Sequence, residues 1–345
     1  MTDPFTSLEY FREQFNQGLH KLLDYEKLGT FILVLANATQ HDALLSELKP
    51  KLLAQFKTLK ANYQHALLNG NQLNEVEEDL LVFLKIAAIG FENIKLTQIR
   101  EQGNWQCQFN HLRSFRPRRL SAVHNQKEMF IPFDENTFNF NKPFMPKECF
   151  WQGELNGKQV DLFYNKYPFA DCHGLFVPER ASALPQLLTE SKHQYMWQVT
   201  EQLSHTLPGV GFGYNSYGAY ASVNHLHFQM FIEPNGLPVT SSHWQHNGGA
   251  ESYPLTVIKK TNVSEAWQAI VELHNLKQPY NVLYTANEIY IIPRKAQGSV
   301  DVPEWSSGFT WYEMCGAMLM FNRGDYLGVG EVTINELLGE NEVLA

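Results

Sequence analysis

The chain has 345 residues, of which 44% are hydrophobic, 13% aromatic and 18% charged, so it has apolar surface for a packed core of about two domains. Lys and Arg number 27 against 36 Asp and Glu, which gives a net charge of −9. This composition excludes global disorder, and an acidic chain is poorly suited to bind a nucleic-acid backbone without sequence preference. We therefore expect no nucleic-acid partner, and any anionic ligand must meet local positive charge.

The cysteines and the N-terminal residues indicate the cellular compartment of the protein. Cys107, Cys149, Cys172 and Cys315 form no Cys-x-x-Cys pair, which fits neither a disulfide framework nor a cysteine zinc site, so we expect a reducing, cytoplasmic location. No basic segment followed by an apolar run opens the chain, and no signal peptide is expected.

Residues 202–232 lack Asp, Glu, Lys and Arg but are rich in Gly, Asn, His and Ser. Such a stretch would leave polar groups unpaired in lipid, so we expect a site there rather than a membrane span.

In chain order, apolar residues at helical spacing come first. They predict helices over 5–28, 42–68 and about 74–92, and residues 1–104 are expected to form a mainly helical N-terminal region. From Trp105 the sequence pattern changes to short runs of residues that favour strands, separated by Pro, Asn and Gly. These runs predict strands at 107–110, 129–132, 160–164, 174–177, 211–215 and 225–233, with a helix at about 184–207.

One internal echo concerns the domain organisation. Residues 162–180 and 282–294 each read as two short strands, and the second strand closes on a proline and then an arginine. The echo favours two related α+β halves with mixed sheets, at 105–250 and 251–345. The alternative is coincidence, because hairpins ending in proline are common.

The segment from Asn224 to Phe231 carries the strongest chemical signal. Strand alternation would send His225, His227 and Gln229 to one face and the apolar residues between them to the other. A neutral imidazole can act as a nucleophile, a base or a metal ligand near neutral pH. Strand geometry alone does not choose among these roles.

Three interpretations of the two histidines compete. They are satisfied structural residues, or they are two metal ligands, although the next carboxylate, Glu233, lies six positions beyond His227. In the third interpretation His227 attacks a phosphorus atom, which requires backbone amides that hold the phosphate. The glycine-rich run 208–218, which includes Asn215 and Ser216, offers such amides, and its alternative is a tight hairpin. It is not the dinucleotide fingerprint, because no helix opens after it.

At residues 213–229 the sequence strongly resembles the active-site segment of the GDP-hexose phosphorylases, the GDP-L-galactose and GDP-D-glucose phosphorylase group. That group lies in the galactose-1-phosphate uridylyltransferase-like branch of the histidine-triad superfamily. The resemblance extends over about residues 105–335. Its further segments are 132–134, 138–142, Asn165 with 172–178, 281–294 and 311–321.

The resemblance implies a histidine-triad-like α+β fold with two related mixed-sheet halves and a helical N-terminal extension. It also implies that His227 is the nucleophile and that His225 positions its surroundings. Gln229 stands where hydrolytic relatives carry a third histidine and transferases carry Gln. The residues implied or proposed to bind substrate on this side are Asn165, His173, Asn215, Ser216 and Ser222.

Two departures from the family pattern matter. Cys172 replaces the usual glycine before His173, which makes the local loop shape uncertain from sequence. The cysteines of the uridylyltransferase zinc site are missing. We therefore expect neither a metal ion nor a cofactor.

Positive charge is concentrated in residues 112–119. The four arginines of this segment, whose guanidinium groups match phosphate oxygens bidentately, are Arg113, Arg116, Arg118 and Arg119. The alternative is a solvated loop. Arg294 with Lys295 forms a weaker second pair, and His243 and His246 are read as surface or supporting residues.

The sequence thus predicts a nucleotidyltransferase that cleaves a nucleotide-activated sugar, GDP-hexose first, with inorganic phosphate through a covalent histidine intermediate. Alternatives are a dinucleoside polyphosphate phosphorylase, an adenylyltransferase, a metal-dependent enzyme and a nucleotide-binding protein without turnover. The expected partners are the nucleotide substrate and phosphate. A homodimer is compatible with the sequence.

Overall fold

The computed structural model describes residues 3–117 and 128–343. Arg118 and Arg119, two of the predicted phosphate ligands, lie outside these ranges. Within them, no helix combines the length and the apolar character needed to cross a bilayer.

The N-terminal region is helical, as predicted. Its helices are α1 (Leu8–Leu22), α2 (Leu28–Ala38), α3 (Asp42–Leu68) and α4 (Glu77–Ile89). The predicted helix over 5–28 is wrong in extent, because the chain turns at Leu23–Tyr25 and Glu26 adopts a left-handed φ of 49°. The following helix, α2, has apolar residues on almost every side because it is buried among its neighbours.

Eight strands form one large sheet in the order β3-β4-β5-β7-β6-β9-β10-β8. They are β3 (Cys149–Leu155), β4 (Lys158–Tyr164), β5 (Asp171–Pro178), β6 (Val210–Asn215), β7 (Phe228–Ile232), β8 (Ile258–Lys260), β9 (Tyr280–Thr285) and β10 (Glu288–Pro293). Every neighbouring pair in this sheet is antiparallel. Hairpins β4–β5 and β9–β10 correspond to the two segments of the internal echo.

A second, three-stranded sheet is mixed. It joins β1 (Gln98–Gln102), β2 (Trp105–Phe109) and β11 (Ala317–Met320), and β2 pairs with β11 in parallel. The remaining helices are α5 (His111–Phe115), α6 (Glu190–Ser204), α7 (Val263–Asn275), α8 (Trp311–Met314), α9 (Arg323–Gly328) and α10 (Glu331–Gly339). The α+β class is therefore confirmed. The division of the chain at residues 104 and 250 stays a prediction.

The large sheet separates two hydrophobic layers. The N-terminal helices, α6 and α7 cover one face, where Phe228 and Met230 of β7 point. The small sheet and α8 cover part of the other face, against Phe231. A smaller cluster around Phe140 and Phe163 lies toward β4 on that second face. The site described below lies between these two clusters.

Besides the helix over 5–28, three predicted elements differ from the structure. Residues 129–132 are not a strand, and the carbonyls of Ile131 and Pro132 accept hydrogen bonds from the Asn224 side chain instead. The helix predicted from 184 begins at Glu190, because residues 184–189 form an irregular segment containing Pro185. The strand predicted from 225 begins at Phe228, and the amides of Leu226 and His227 bond to that irregular segment.

Candidate active site

His227 lies immediately before β7 and is buried, with 6% of its surface exposed. Its Nδ1 lies 2.8 Å from the main-chain oxygen of His225, which can only accept, so Nδ1 carries the proton and Nε2 keeps its lone pair. Burial lowers the pKa of His227 to about 4. At neutral pH this ring is therefore uncharged, with the lone pair on Nε2.

His225 has both ring nitrogens engaged by the main chain. Its Nδ1 accepts from the N–H of Phe140 at 3.2 Å, and its Nε2 donates to the carbonyl of Arg180 at 3.1 Å. Burial lowers its pKa to about 4 as well. This histidine therefore ties together three segments of the chain, and its nitrogens are not free to hold a metal ion.

The rings of His225 and His227 both lie against Phe140, with centroid distances of 5.4 and 5.3 Å. Leu226 between them belongs to the core on the opposite side of the sheet. The separation of polar and apolar residues expected from strand alternation is therefore present. It persists although the two histidines precede the strand proper.

His173 of β5 anchors Gln229 of β7. The His173 Nδ1 accepts from the N–H of Phe169 at 3.3 Å, so its Nε2 carries the proton and donates to Oε1 of Gln229 at 3.1 Å. Burial, and then the charge of Arg113, lower the pKa of His173 to about 3, so the ring is neutral. With its oxygen engaged, Gln229 keeps its amide N–H groups for a ligand.

Asn165 lies beside this pair and is half-buried. Its Nδ2 is 3.2 Å from the His173 ring, and its Oδ1 accepts from the N–H of Tyr167. The structure therefore brings Asn165, His173 and Gln229 together, and a role for them in nucleotide binding stays a prediction.

Asn215 and Ser216 occupy a different position. The Asn215 oxygen accepts from Asn281 at 2.7 Å and from the N–H of Trp311 at 2.8 Å. The Ser216 hydroxyl accepts from the N–H of Tyr280. Both side chains thus fasten β6 to β9, and a direct role in substrate binding stays a prediction. Ser222 is exposed in the loop that leads to the histidines.

The two described arginines of the basic segment have distinct surroundings. Arg113 donates to the carbonyl of Tyr167 at 2.8 Å, and its guanidinium lies 5.0 Å from the centre of the Phe169 ring, which packs against His173. Its Nε is buried and has no hydrogen-bond partner in residues 3–117 or 128–343, and burial lowers its pKa to about 10. Arg116 is ion-paired with Glu78 of α4 at 2.9 Å.

The weaker candidates from the sequence, Arg294, His243 and His246, make contacts that support the fold. Arg294 is buried and donates to Lys295, Phe309 and Asn341, which holds the C-terminal helix near β10. His246 contacts the carbonyl of Val239, and His243 contacts Ser241. Among the described residues, no group of three or more His, Cys, Asp and Glu side chains is placed to hold a metal ion.

Sequence reasoning missed Gln186. This buried amide is hydrogen-bonded to the main chain of His227 on both its N–H and its C=O. The only local signal is a glutamine inside the apolar run from Leu184 to Leu188, which does not indicate a partner 41 residues away.

Comparisons with known proteins show sequence similarity to one group of enzymes. Residues 90–231, which include His227 and Gln229, match the family model described as GDPGP1-like, N-terminal domain. GDP-D-glucose phosphorylase 1 of Danio rerio is 35% identical over 111 residues, 32% of this chain and 32% of the relative. GDP-L-galactose phosphorylase 2 of Arabidopsis thaliana is 25% identical over 256 residues, 61% of this chain and 58% of the relative. The resemblance to the GDP-hexose phosphorylase group is confirmed.

The chain thus spans about a third to three fifths of these curated relatives. Among solved structures, yeast Ap4A phosphorylase Apa2 aligns with a TM-score of 0.48 and 16% identity, covering 79% of this chain and 97% of that chain.

Proposed function

We propose that this protein is a nucleotidyltransferase that cleaves a nucleotide-activated sugar, with GDP-hexose as the first candidate, using inorganic phosphate as the acceptor. The observation that carries the proposal is the state of His227, whose neutral ring has its proton fixed on Nδ1 and a lone pair on Nε2. The names of the relatives support the substrate class.

The first step forms a bond between His227 Nε2 and the α-phosphorus. The bond from that phosphorus to the bridging oxygen breaks, and the hexose 1-phosphate leaves with the electron pair. The imidazole gains positive charge, which the carbonyl of His225 stabilises through the Nδ1 proton. A neutral nucleophile adds no negative charge to an anhydride whose oxygens repel anions.

In the second step an oxygen of inorganic phosphate attacks the same phosphorus, and the phosphorus–nitrogen bond breaks. The products are the nucleoside diphosphate and the unmodified histidine. Two displacements at one phosphorus predict ping-pong kinetics and retained configuration. The amide N–H groups of Gln229 are assigned to a phosphate oxygen in both steps.

Positive charge for the phosphates comes from Arg113. Its guanidinium and the His173 ring both pack against Phe169, and its Nε has no hydrogen-bond partner among the residues that the structure describes. A pKa of about 10 leaves it charged at neutral pH.

The four cysteines are free thiols, which supports the proposed cytoplasmic location.

Intact-mass spectrometry tests the proposal. Wild-type protein is incubated without phosphate with a GDP-sugar, a UDP-sugar, an ADP-sugar or diadenosine tetraphosphate, and quenched in alkali to preserve the acid-labile phosphorus–nitrogen bond. We expect an added nucleoside monophosphate on wild type and on a His205→Ala control, whose histidine is exposed after α6, but not on His227→Ala. The added mass identifies the base. A protein that binds these nucleotides but never gains mass would be a binding protein.

A further inference from the structure

The side chain of Gln186 is enclosed in the irregular segment between β5 and α6, where it is 1% exposed. It makes three hydrogen bonds to main-chain groups. Its Oε1 accepts from the N–H of His227 at 3.0 Å. Its Nε2 donates to the carbonyl of His227 at 3.2 Å and to that of Asn215 at 3.1 Å.

These bonds replace strand pairing at a point where the sheet ends. The register between β5 and β7 stops at Phe176 with Phe228, and that between β6 and β7 stops at Gly213 with Gln229. His227 is therefore one residue beyond the ladder. The Gln186 amide presents one acceptor and one donor to its main chain, as a neighbouring strand would.

Gln186 is itself held in place. Its own N–H donates to the Asn224 side chain at 3.0 Å, and its carbonyl accepts from the Tyr214 hydroxyl at 3.3 Å. The network links the segment before α6, the end of β6 at Asn215 and two residues of the histidine motif, Asn224 and His227. A fully satisfied buried network of this kind fixes one geometry.

We propose that Gln186 is a positioning residue that sets the main chain of His227, and through it the direction of Nε2 toward the α-phosphorus. The inference rests on the proposed nucleotidyl transfer. Gln186 contacts no reacting atom, so its loss changes the rate of forming the covalent intermediate more than the affinity for nucleotide. A displacement of about 1 Å at the nucleophile is enough for roughly a 100-fold loss of rate.

Two substitutions test this role. Gln186→Met keeps length and volume but removes all three hydrogen bonds, and we expect roughly a 100-fold slower appearance of the nucleotidyl adduct with nucleotide affinity near that of wild type. Gln278→Met is the matched control. That half-buried glutamine donates to the carbonyls of Pro279 and Arg294 and does not bond to His227, so its adduct rate should stay close to wild type.

Gln186→Glu supplies a readout that a general loss of packing does not produce. A protonated carboxyl can accept from the His227 N–H and donate to one carbonyl, whereas a carboxylate places negative charge against two carbonyl oxygens. Burial raises the pKa of such a carboxyl. The titratable groups bonded to this network are His227, with a pKa near 4, and Tyr214, whose pKa is raised by burial. Neither changes charge between pH 5 and 8.

The adduct rate of Gln186→Glu should therefore fall as pH rises through this range, while the wild-type rate stays constant. If wild type forms the adduct and Gln186→Met forms it equally fast, the positioning role is wrong. A pH profile of Gln186→Glu parallel to wild type would also overturn it. If wild type forms no adduct at all, the proposed function fails first. Circular dichroism and thermal melting show whether each variant has folded. If Gln186→Met has not folded, the comparison is made between Gln186→Glu at low pH and wild type.

Discussion

The ring of His173 donates from Nε2 to the side-chain oxygen of Gln229 across 3.1 Å between neighbouring strands. Because Nδ1 accepts from the N–H of Phe169, the ring has one tautomer, and that tautomer fixes which end of the Gln229 amide bonds to His173. The orientation of the amide that we propose as a phosphate ligand thus depends on a histidine that carries no charge.

Replacing His173 should therefore impair the chemistry of Gln229. In His173→Phe the Gln229 amide loses its anchor, and we expect the rate of adduct formation to fall by about tenfold, the equivalent of the roughly 1 kcal/mol that one neutral hydrogen bond contributes. His173→Gln retains a donor and should recover part of the rate. Rapid-quench mass spectrometry measures both variants. Equal rates for His173→Phe and His173→Gln would show that the hydrogen bond is unimportant.

The pH dependence of the first step follows from the lowered pKa of His227. Burial disfavours the charged ring and brings the pKa to about 4, and the neutral form is the nucleophile. The rate should therefore be constant from pH 8 to about 5.5 and fall only as pH approaches 4. The single-turnover rate without phosphate avoids the titration of the acceptor. A decline centred near the ordinary histidine pKa of about 6.5 would contradict the assignment.

Cys172 has a backbone conformation that favours glycine. Its φ is 48°, and it lies in the irregularity between Asp171 and Gly174 where β5 meets β7. A left-handed conformation costs a residue with a Cβ about 1 kcal/mol or more. Cys172→Gly should therefore be at least as stable as Cys172→Ala, although glycine buries less apolar surface and is more flexible when unfolded.

Urea unfolding of the two Cys172 variants measures this difference. At an extended position the alanine variant would be more stable by about 0.5–1 kcal/mol. If Cys172→Ala has the higher free energy of unfolding by this amount, the left-handed conformation of Cys172 is contradicted. The control is Ala170→Gly, two residues earlier, because Ala170 is not among the residues with positive φ.

Arg113 and Arg116 are expected to separate into a functional and a structural residue. Arg113→Met should slow adduct formation, because the phosphates lose their buried cation, with a moderate loss of stability. Arg116→Met removes the ion pair with Glu78 and should lower stability by about 1 kcal/mol with little effect on rate. Adduct kinetics and urea unfolding on both variants provide the comparison. A larger rate effect for Arg116→Met would reverse the assignment.

The sequence predicted most of what depends on local pattern. The helices α3 and α4, the strands β4 to β6 and the packing of His225 and His227 against one residue, Phe140, follow from periodicity and from one contiguous motif. What it missed depends on distant contacts. Helix α2 lacks a polar face because other helices surround it, Arg116 is engaged by Glu78 of α4, and Gln186 reaches His227 only through the fold.

The junction between β6 and β9 has a consequence for how the molecule can be divided. Asn215 pairs with Asn281 in the ladder, and its side chain is bonded to Asn281 and Trp311. A chain ending near residue 250 would contain the whole histidine motif, yet it would leave β6, buried along its entire length, as an open apolar edge. Such edges pair with other chains. A premature stop in this region would therefore produce an aggregating fragment rather than a folded but shortened protein.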